Sequence, residues 1–142
     1  MRVKIQLVEN GIMPTKGTEQ AACFDTYVRK IEREGSMYKC YLGFKTEIPV
    51  GYEGVLKPRS SNTKYRFVMT NSPGTIDSDF RGEIQARYTA LDNSGHDVEF
   101  PYKVGDRVAQ LCFRETLKFD FELTDNLNET ERGEGGHGST GK

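Results

Sequence analysis

Apolar and polar residues alternate in short runs along most of this chain, with the two-residue period of strands. Val3, Ile5 and Leu7 alternate with Lys4 and Gln6, which turns one face of a strand inward. Similar runs predict strands over Phe24 to Arg29, Tyr38 to Ile48, Gly54 to Lys57, Phe67 to Thr70, Glu83 to Leu91 and Arg107 to Phe113. Turn residues separate them at Asn10-Gly11, Glu34-Gly35-Ser36, Pro49-Val50-Gly51, Ser72-Pro73-Gly74, Asn93-Ser94-Gly95 and Gly105-Asp106. Many short strands punctuated in this way predict an all-β domain built as a sandwich, jelly roll or barrel.

Helical signal is confined to one or two turns opening at Ser60 or Ser61, where a serine can cap the first free amides. The strand pattern stops near Thr124. Asp125 to Lys142 holds a single large apolar residue, Leu127, and places five glycines in the last eleven positions. Such a segment cannot be ordered by its own burial. The chain is therefore expected to divide into an all-β domain over 1–124 and a flexible Gly-rich arm over 125–142.

Charge narrows the partners. The 142 residues carry 20 Lys plus Arg against 21 Asp plus Glu, a net charge of −1, so no global basic field exists to hold a nucleic-acid polymer. A polyanionic ligand would be held by locally placed cations. No run approaches the ~18 apolar residues of a membrane span, and Met1 to Ile5 lacks the apolar core of a secretory signal. The expectation is a soluble, cytoplasmic protein. Cys23, Cys40 and Cys112 are widely spaced without a C-x-x-C pair, which favours buried thiols over a disulfide framework or a zinc site. His96 and His137 form no paired ligand motif, so a metal would have to arrive on phosphates.

Four segments carry candidate chemistry. Arg132 to Lys142 gathers backbone amides, two hydroxyls and two cations where glycine lets the chain approach an anion closely. Gly136 to Lys142 reads G-x-x-x-x-G-K, but no strand precedes it and no helix follows within the sequence, so the P-loop reading is rejected. The bland reading of this tail is a solvated terminus. Lys57-Pro58-Arg59-Ser60-Ser61 follows a strand and opens the one helical turn, either as an ordinary cap or as an anion site. Gly74 to Glu83 sets carboxylates and Phe80 between two glycines; it is a turn joining two strands, or a place where an Asp orients and deprotonates a water. Gln110 lies in an otherwise apolar strand, as a satisfied core amide or a phosphate donor.

The order and spacing of these segments resemble the trimeric deoxyuridine triphosphatases (dUTPases). The five motifs of that family correspond to Ala22-Cys23-Phe24-Asp25, Pro58-Arg59-Ser60-Ser61, Gly74 through Gly82, Gly105 through Leu111, and Arg132 through Gly141. The resemblance covers nearly the whole chain. It implies a distorted jelly-roll or β-clip barrel with at most one short helix, and Mg²⁺-dependent hydrolysis of dUTP to dUMP and pyrophosphate by water attack on the α-phosphorus. That reaction keeps uracil out of DNA and supplies dUMP for thymidylate synthesis.

Residue by residue, the resemblance implies that Asp77 orients and activates the water, and that Asp25 holds hydrated magnesium through water. It assigns the phosphates to Arg59, Ser60, Ser61 and Gln110, and to Arg132, Gly138, Ser139 and Thr140 of the tail. Main-chain groups from about Asn71 through Gly74 to Ile76 would read uracil, Phe80 would pack under the deoxyribose, and His137 would stack on the base. It also implies a homotrimer with active sites shared between subunits, the tail being ordered only over bound nucleotide. Some family members have signalling partners, so a protein partner is left open.

Three departures stand out. Phe80 replaces the usual tyrosine, His137 the usual phenylalanine, and Cys23 and Thr26 the commoner glycine and leucine around Asp25. Two rival readings fit less well. The related dCTP deaminases carry a glutamate five positions after the third-motif glycine, where this chain has Arg87. A non-catalytic β-domain that binds nucleotide or protein would gain nothing from carboxylates beside phosphates unless a metal intervened.

Overall fold

The computed structural model describes residues 1–91 and 99–136. Ten strands and one short 3-10 turn are found among them: β1 (Lys4–Leu7), β2 (Phe24–Tyr27), β3 (Lys30–Glu34), β4 (Met37–Tyr41), β5 (Phe44–Glu47), β6 (Tyr52–Pro58), the turn Ser60–Lys64, β7 (Phe67–Met69), β8 (Gly74–Ile76), β9 (Gln85–Ala90) and β10 (Arg107–Glu115). They form two four-stranded sheets, β2-β10-β6-β8 and β3-β4-β9-β7, and a two-stranded ribbon β1-β5. Every pairing is antiparallel. The all-β expectation with one short helical turn is met.

One core joins the sheets. Leu56, Ala109 and Leu111 from the first meet Cys40, Ala86, Tyr88 and Met69 from the second in a single buried cluster. Tyr88 is fully buried and its hydroxyl crosses the core to donate to the Val108 carbonyl at 2.7 Å, so burying its polar end leaves no donor unpaired. Burial also pushes the Tyr88 phenol well above its ordinary range.

The structure departs from the expected strands in four places. The run Tyr38 to Ile48 is two strands, broken where Gly43 adopts φ +78°. A Cβ on Gly43 would stand 2.6 Å from Gly11 Cα, so two glycine backbones touch and β5 is released to pair with β1. β3 escaped notice because Lys30, Glu32, Arg33 and Glu34 leave Ile31 as its only apolar residue. Its partner β4 supplies the register, Ile31 opposite Cys40. Gly74 to Ile76, read as part of a turn, is an edge strand against β6. Finally, neither Ser60 nor Ser61 caps the 3-10 turn: the cap residue is Arg59, and its side chain makes no capping bond.

β10 ends at Glu115, and residues 114–134 are all exposed. Leu117, Phe119, Phe121 and Leu123 keep a strand's alternation there, with Phe121 and Leu123 essentially wholly in solvent. No helix among the described residues is long and apolar enough to cross a membrane.

Candidate active site

The chain builds two separate groups of the expected residues. The first surrounds Asp25. β6 stops at Pro58, which has no N–H to carry the ladder on, and the chain leaves the sheet at Arg59 in an extended conformation (φ −77°, ψ 154°). That exit turns Arg59 toward β2, where its Nε donates to Asp25 Oδ1 at 2.8 Å. Arg107, at the start of β10, donates from Nη1 to Asp25 Oδ2 at 3.1 Å. The carboxylate thus lies between two guanidinium groups with one arginine on each oxygen.

Gln110 sits directly across β10 from Asp25 and across from Lys57 on β6. Its Nε2 donates to the Pro58 carbonyl at 2.9 Å, which uses one of two amide hydrogens and leaves the other and the carbonyl oxygen. Ser61 is within reach of Arg59, its Oγ accepting from Nη1 at 3.4 Å, and Ser60 is exposed at the head of the turn. Cations, hydroxyls and an amide therefore converge on one edge of the β2-β10-β6 sheet.

The second group lines a cleft of about 300 Å³, within the range of small-ligand sites. Asn71, Gly74, Ile76, Asp77 and Phe80 all border it, together with Glu83, Gln85 and Arg87. The Asn71 side chain is committed to structure: its Nδ2 donates to the Gln85 carbonyl at 3.0 Å and its Oδ1 accepts from the Arg87 amide at 2.8 Å. It acts as one rung of a sheet and fixes the 71–73 loop against β9. Gly74 permits a close approach, since a Cβ there would stand 2.8 Å from the Asn71 carbonyl oxygen.

Asp77 is exposed at the cleft, in a turn closed by the Phe80 amide donating to its carbonyl at 3.2 Å. Arg81 braces that turn by donating from Nη1 to the carbonyls of Ser78 at 2.7 Å and Phe80 at 3.0 Å. The turn is anchored again at Glu83, which accepts from Arg29 at 2.9 and 2.8 Å and from the Gly43 amide at 2.9 Å. That bidentate pair holds the Arg29 guanidinium above its already high range.

None of Asp25, Arg59, Ser60, Ser61, Gln110 and Arg132 lines the Asp77 cleft. Arg132 donates from Nε to the Gly135 carbonyl at 2.8 Å, within its own tail. His137, Gly138, Ser139 and Thr140 lie outside the described residues. Two features were missed in the sequence. Arg107 reads there only as the first residue of a strand, and nothing local marks it as a carboxylate partner. Glu83, Gln85 and Arg87 were legible, since they alternate with the buried Ile84, Ala86 and Tyr88 and so form the opposite face of one strand.

Among the described residues no group of three or more His, Cys, Asp or Glu could cage a metal ion. The Asp25 carboxylate, with a lone pair left on each oxygen, suits an ion that keeps its water and takes its remaining oxygens from a ligand.

The family model for dUTPase matches residues 9–141. This chain belongs to the dUTPase family. A deoxyuridine 5'-triphosphate nucleotidohydrolase of Helicobacter pylori (strain Shi470) is 37% identical over 145 residues, covering 99% of this chain and 97% of the relative. Among solved structures, the dUTPase of Staphylococcus bacteriophage 80alpha with dUpNHpp has a TM-score of 0.82 at 20% identity, covering 99% of each chain. A variant of the phage phi11 dUTPase of S. aureus, described for its coordination of a structural Mg(II) ion, has a TM-score of 0.74 at 19% identity and covers 89% of this chain and 98% of that one. These two likenesses support the dUTPase fold.

Proposed function

We propose that this chain hydrolyses dUTP to dUMP and pyrophosphate, with a water held by Asp77 attacking the α-phosphorus. The observation that carries this reading is the cleft in which the exposed Asp77 and Phe80 share a wall with Asn71 and residues 74–76. A carboxylate at a polar opening can accept the water's proton as the bond to phosphorus forms, and an adjoining ring can pack under a sugar.

The base is read by backbone. Because both ends of the Asn71 side chain are bonded to β9, the loop backbone is held in place and its main-chain groups can serve a ligand as fixed donors and acceptors. A slot of fixed backbone rejects the methyl of thymine by size and cytosine by its donor pattern. Phe80 excludes a 2′-hydroxyl by contact, a function that needs no phenol.

The phosphates lie against Arg59, Ser60, Ser61 and Gln110, with Arg132, Gly138, Ser139 and Thr140 closing from the arm. Preorganised cations and hydroxyls stabilise charge that develops on the phosphoryl oxygens, and little covalent work is left to the protein. Asp25, held by Arg59 and Arg107, would hold the waters of a Mg²⁺ brought by the phosphates. When bound, the ion would neutralise phosphate charge and orient the triphosphate.

Residues 1–124 serve as the catalytic body and 125–142 as an arm that closes over nucleotide, with His137 stacked on the uracil. The body acts as a homotrimer in the cytoplasm, where free nucleotides are found. Two observations support the assembly: one chain holds the Asp25 group and the Asp77 cleft apart, and Leu117, Phe119, Phe121 and Leu123 expose an alternating apolar stripe that a neighbour would cover. Solution mass at micromolar protein should be that of three chains, and a monomer would refute the shared site.

Deamination of dCTP is disfavoured by Arg87, whose position on the cleft wall offers a guanidinium where that chemistry needs a carboxylate. The deciding experiment compares initial rates of pyrophosphate release from dUTP, dTTP, dCTP and UTP, with magnesium and with a chelator. Selective, magnesium-dependent turnover of dUTP is expected. Intact dUTP, equal attack on UTP, or ammonia released from dCTP would overturn the reading.

A further inference from the structure

The three cysteines were expected to be isolated buried thiols, and for Cys40 the fold agrees: it is fully buried, and burial pushes its thiol up to about 12. Cys23 and Cys112 differ. The β2-β10 register sets Gln110 opposite Asp25 and Leu111 opposite Phe24, and one further step sets Cys112 opposite Cys23. Both are only partly buried.

The pair is of the kind a disulfide can bridge. Asp25 directs both its N–H and its C=O at Thr15, at 2.7 and 3.1 Å, and so faces β10 as a non-hydrogen-bonded pair with Gln110. Cys23 stands one residue before β2, and continuing the register by that residue brings it to the same relation with Cys112. Opposed residues of this type have Cα atoms ~4.5 Å apart, inside the ~4.4–6.8 Å range of disulfides. Cys112 meanwhile has its strand partner Val55 on the other side, and its thiol also leans on the Val55 carbonyl at 3.7 Å.

We propose that Cys23 and Cys112 form a dithiol that closes to an intrachain disulfide on two-electron oxidation by hydrogen peroxide. In that reaction one sulfur attacks the peroxide oxygen, the O–O bond breaks, and a sulfenic acid and one water result. The second sulfur then attacks the sulfenic sulfur. The S–S bond forms, the S–O bond breaks, and the hydroxyl leaves with the second thiol's proton as another water. Each sulfur gives up one electron and the peroxide oxygens are reduced. Reduction by an external thiol restores the pair. Asp25 and Gln110 lie two residues away on the same faces of these strands, so the bond would tie the strand of the metal-side carboxylate covalently to that of the phosphate-side amide.

The test treats the folded, reduced protein with hydrogen peroxide, alkylates in denaturant, and maps peptides by mass spectrometry without reduction. Two of the three thiols should be protected, in a single peptide pair joining Cys23 to Cys112, and dithiothreitol should release both. Cys40→Ser should form the same link; Cys23→Ser and Cys112→Ser should form no intrachain link. The thermal midpoint of the oxidised protein should rise by several degrees, because the bond closes a loop of about 90 residues in the unfolded chain. Three alkylated cysteines, sulfinic acid at one cysteine without a link, or a link only between chains would each overturn the proposal.

Discussion

The ring of Phe80 lies over Gly82 so closely that a Cβ at position 82 would stand 2.4 Å from its Cζ. The glycine is what lets the ring, 44% exposed, rest along the cleft wall beside Asp77. Gly82→Ala should displace the ring without unfolding the sheets. Its preference for dUTP over UTP, measured as the ratio of kcat/KM values, should fall by on the order of tenfold, since contacts of this size are worth about 1–3 kcal/mol. An unchanged ratio would remove Phe80 from sugar selection.

Asp25 offers a second test. Asp25→Asn keeps the shape, but its single oxygen can accept from only one of Arg59 and Arg107, and it loses the charge that attracts a hydrated cation. The magnesium concentration giving half-maximal rate should rise roughly tenfold or more, as for loss of an outer-sphere partner. An unaltered magnesium response would show that the carboxylate serves only the two arginines.

Asp77→Ala should bind a non-hydrolysable dUTP analogue about as well as the parent chain while lowering kcat by on the order of 10² or more. Titration calorimetry and steady-state rates measured on one preparation separate the two effects. Loss of binding with undiminished turnover of bound nucleotide would transfer the proton-accepting role elsewhere.

Truncation before Arg132 should collapse turnover and leave the thermal midpoint nearly unchanged. Among the described contacts Arg132 bonds only within the tail, and Arg132, Gly133 and Glu134 are exposed, so the described part of the arm adds little buried surface to the β-body. A large fall in midpoint would make the arm a structural element.

Much of this molecule was readable before its fold was. Apolar runs located β1, β9 and β10, of which β9 buries Ala86 and Tyr88 on one face, while the cleft wall formed by Glu83, Gln85 and Arg87 went unread. What failed had physical reasons. β3 carries charge on both faces and gains its strand character from β4, a pairing that no local pattern reveals. The break at Gly43 depends on contact with Gly11, more than thirty positions away in sequence. The Asp25 group was legible as candidates only: Arg59 and Gln110 were named from their motifs, whereas Arg107 joins them through a register between β2 and β10. Cys23 and Cys112 looked isolated for the same reason, because sequence spacing does not show which residues a sheet makes neighbours.

The roles proposed for Asp77 and for the cluster around Asp25 commit the chemistry to attack on the α-phosphorus. Hydrolysis of dUTP in water labelled with oxygen-18, followed by mass spectrometry of both products, reads that atom directly. One labelled oxygen in dUMP and none in pyrophosphate is the predicted result. Label in pyrophosphate would mean that water attacks the β-phosphorus, and the roles given to Asp77 and to the cations around it would be wrong.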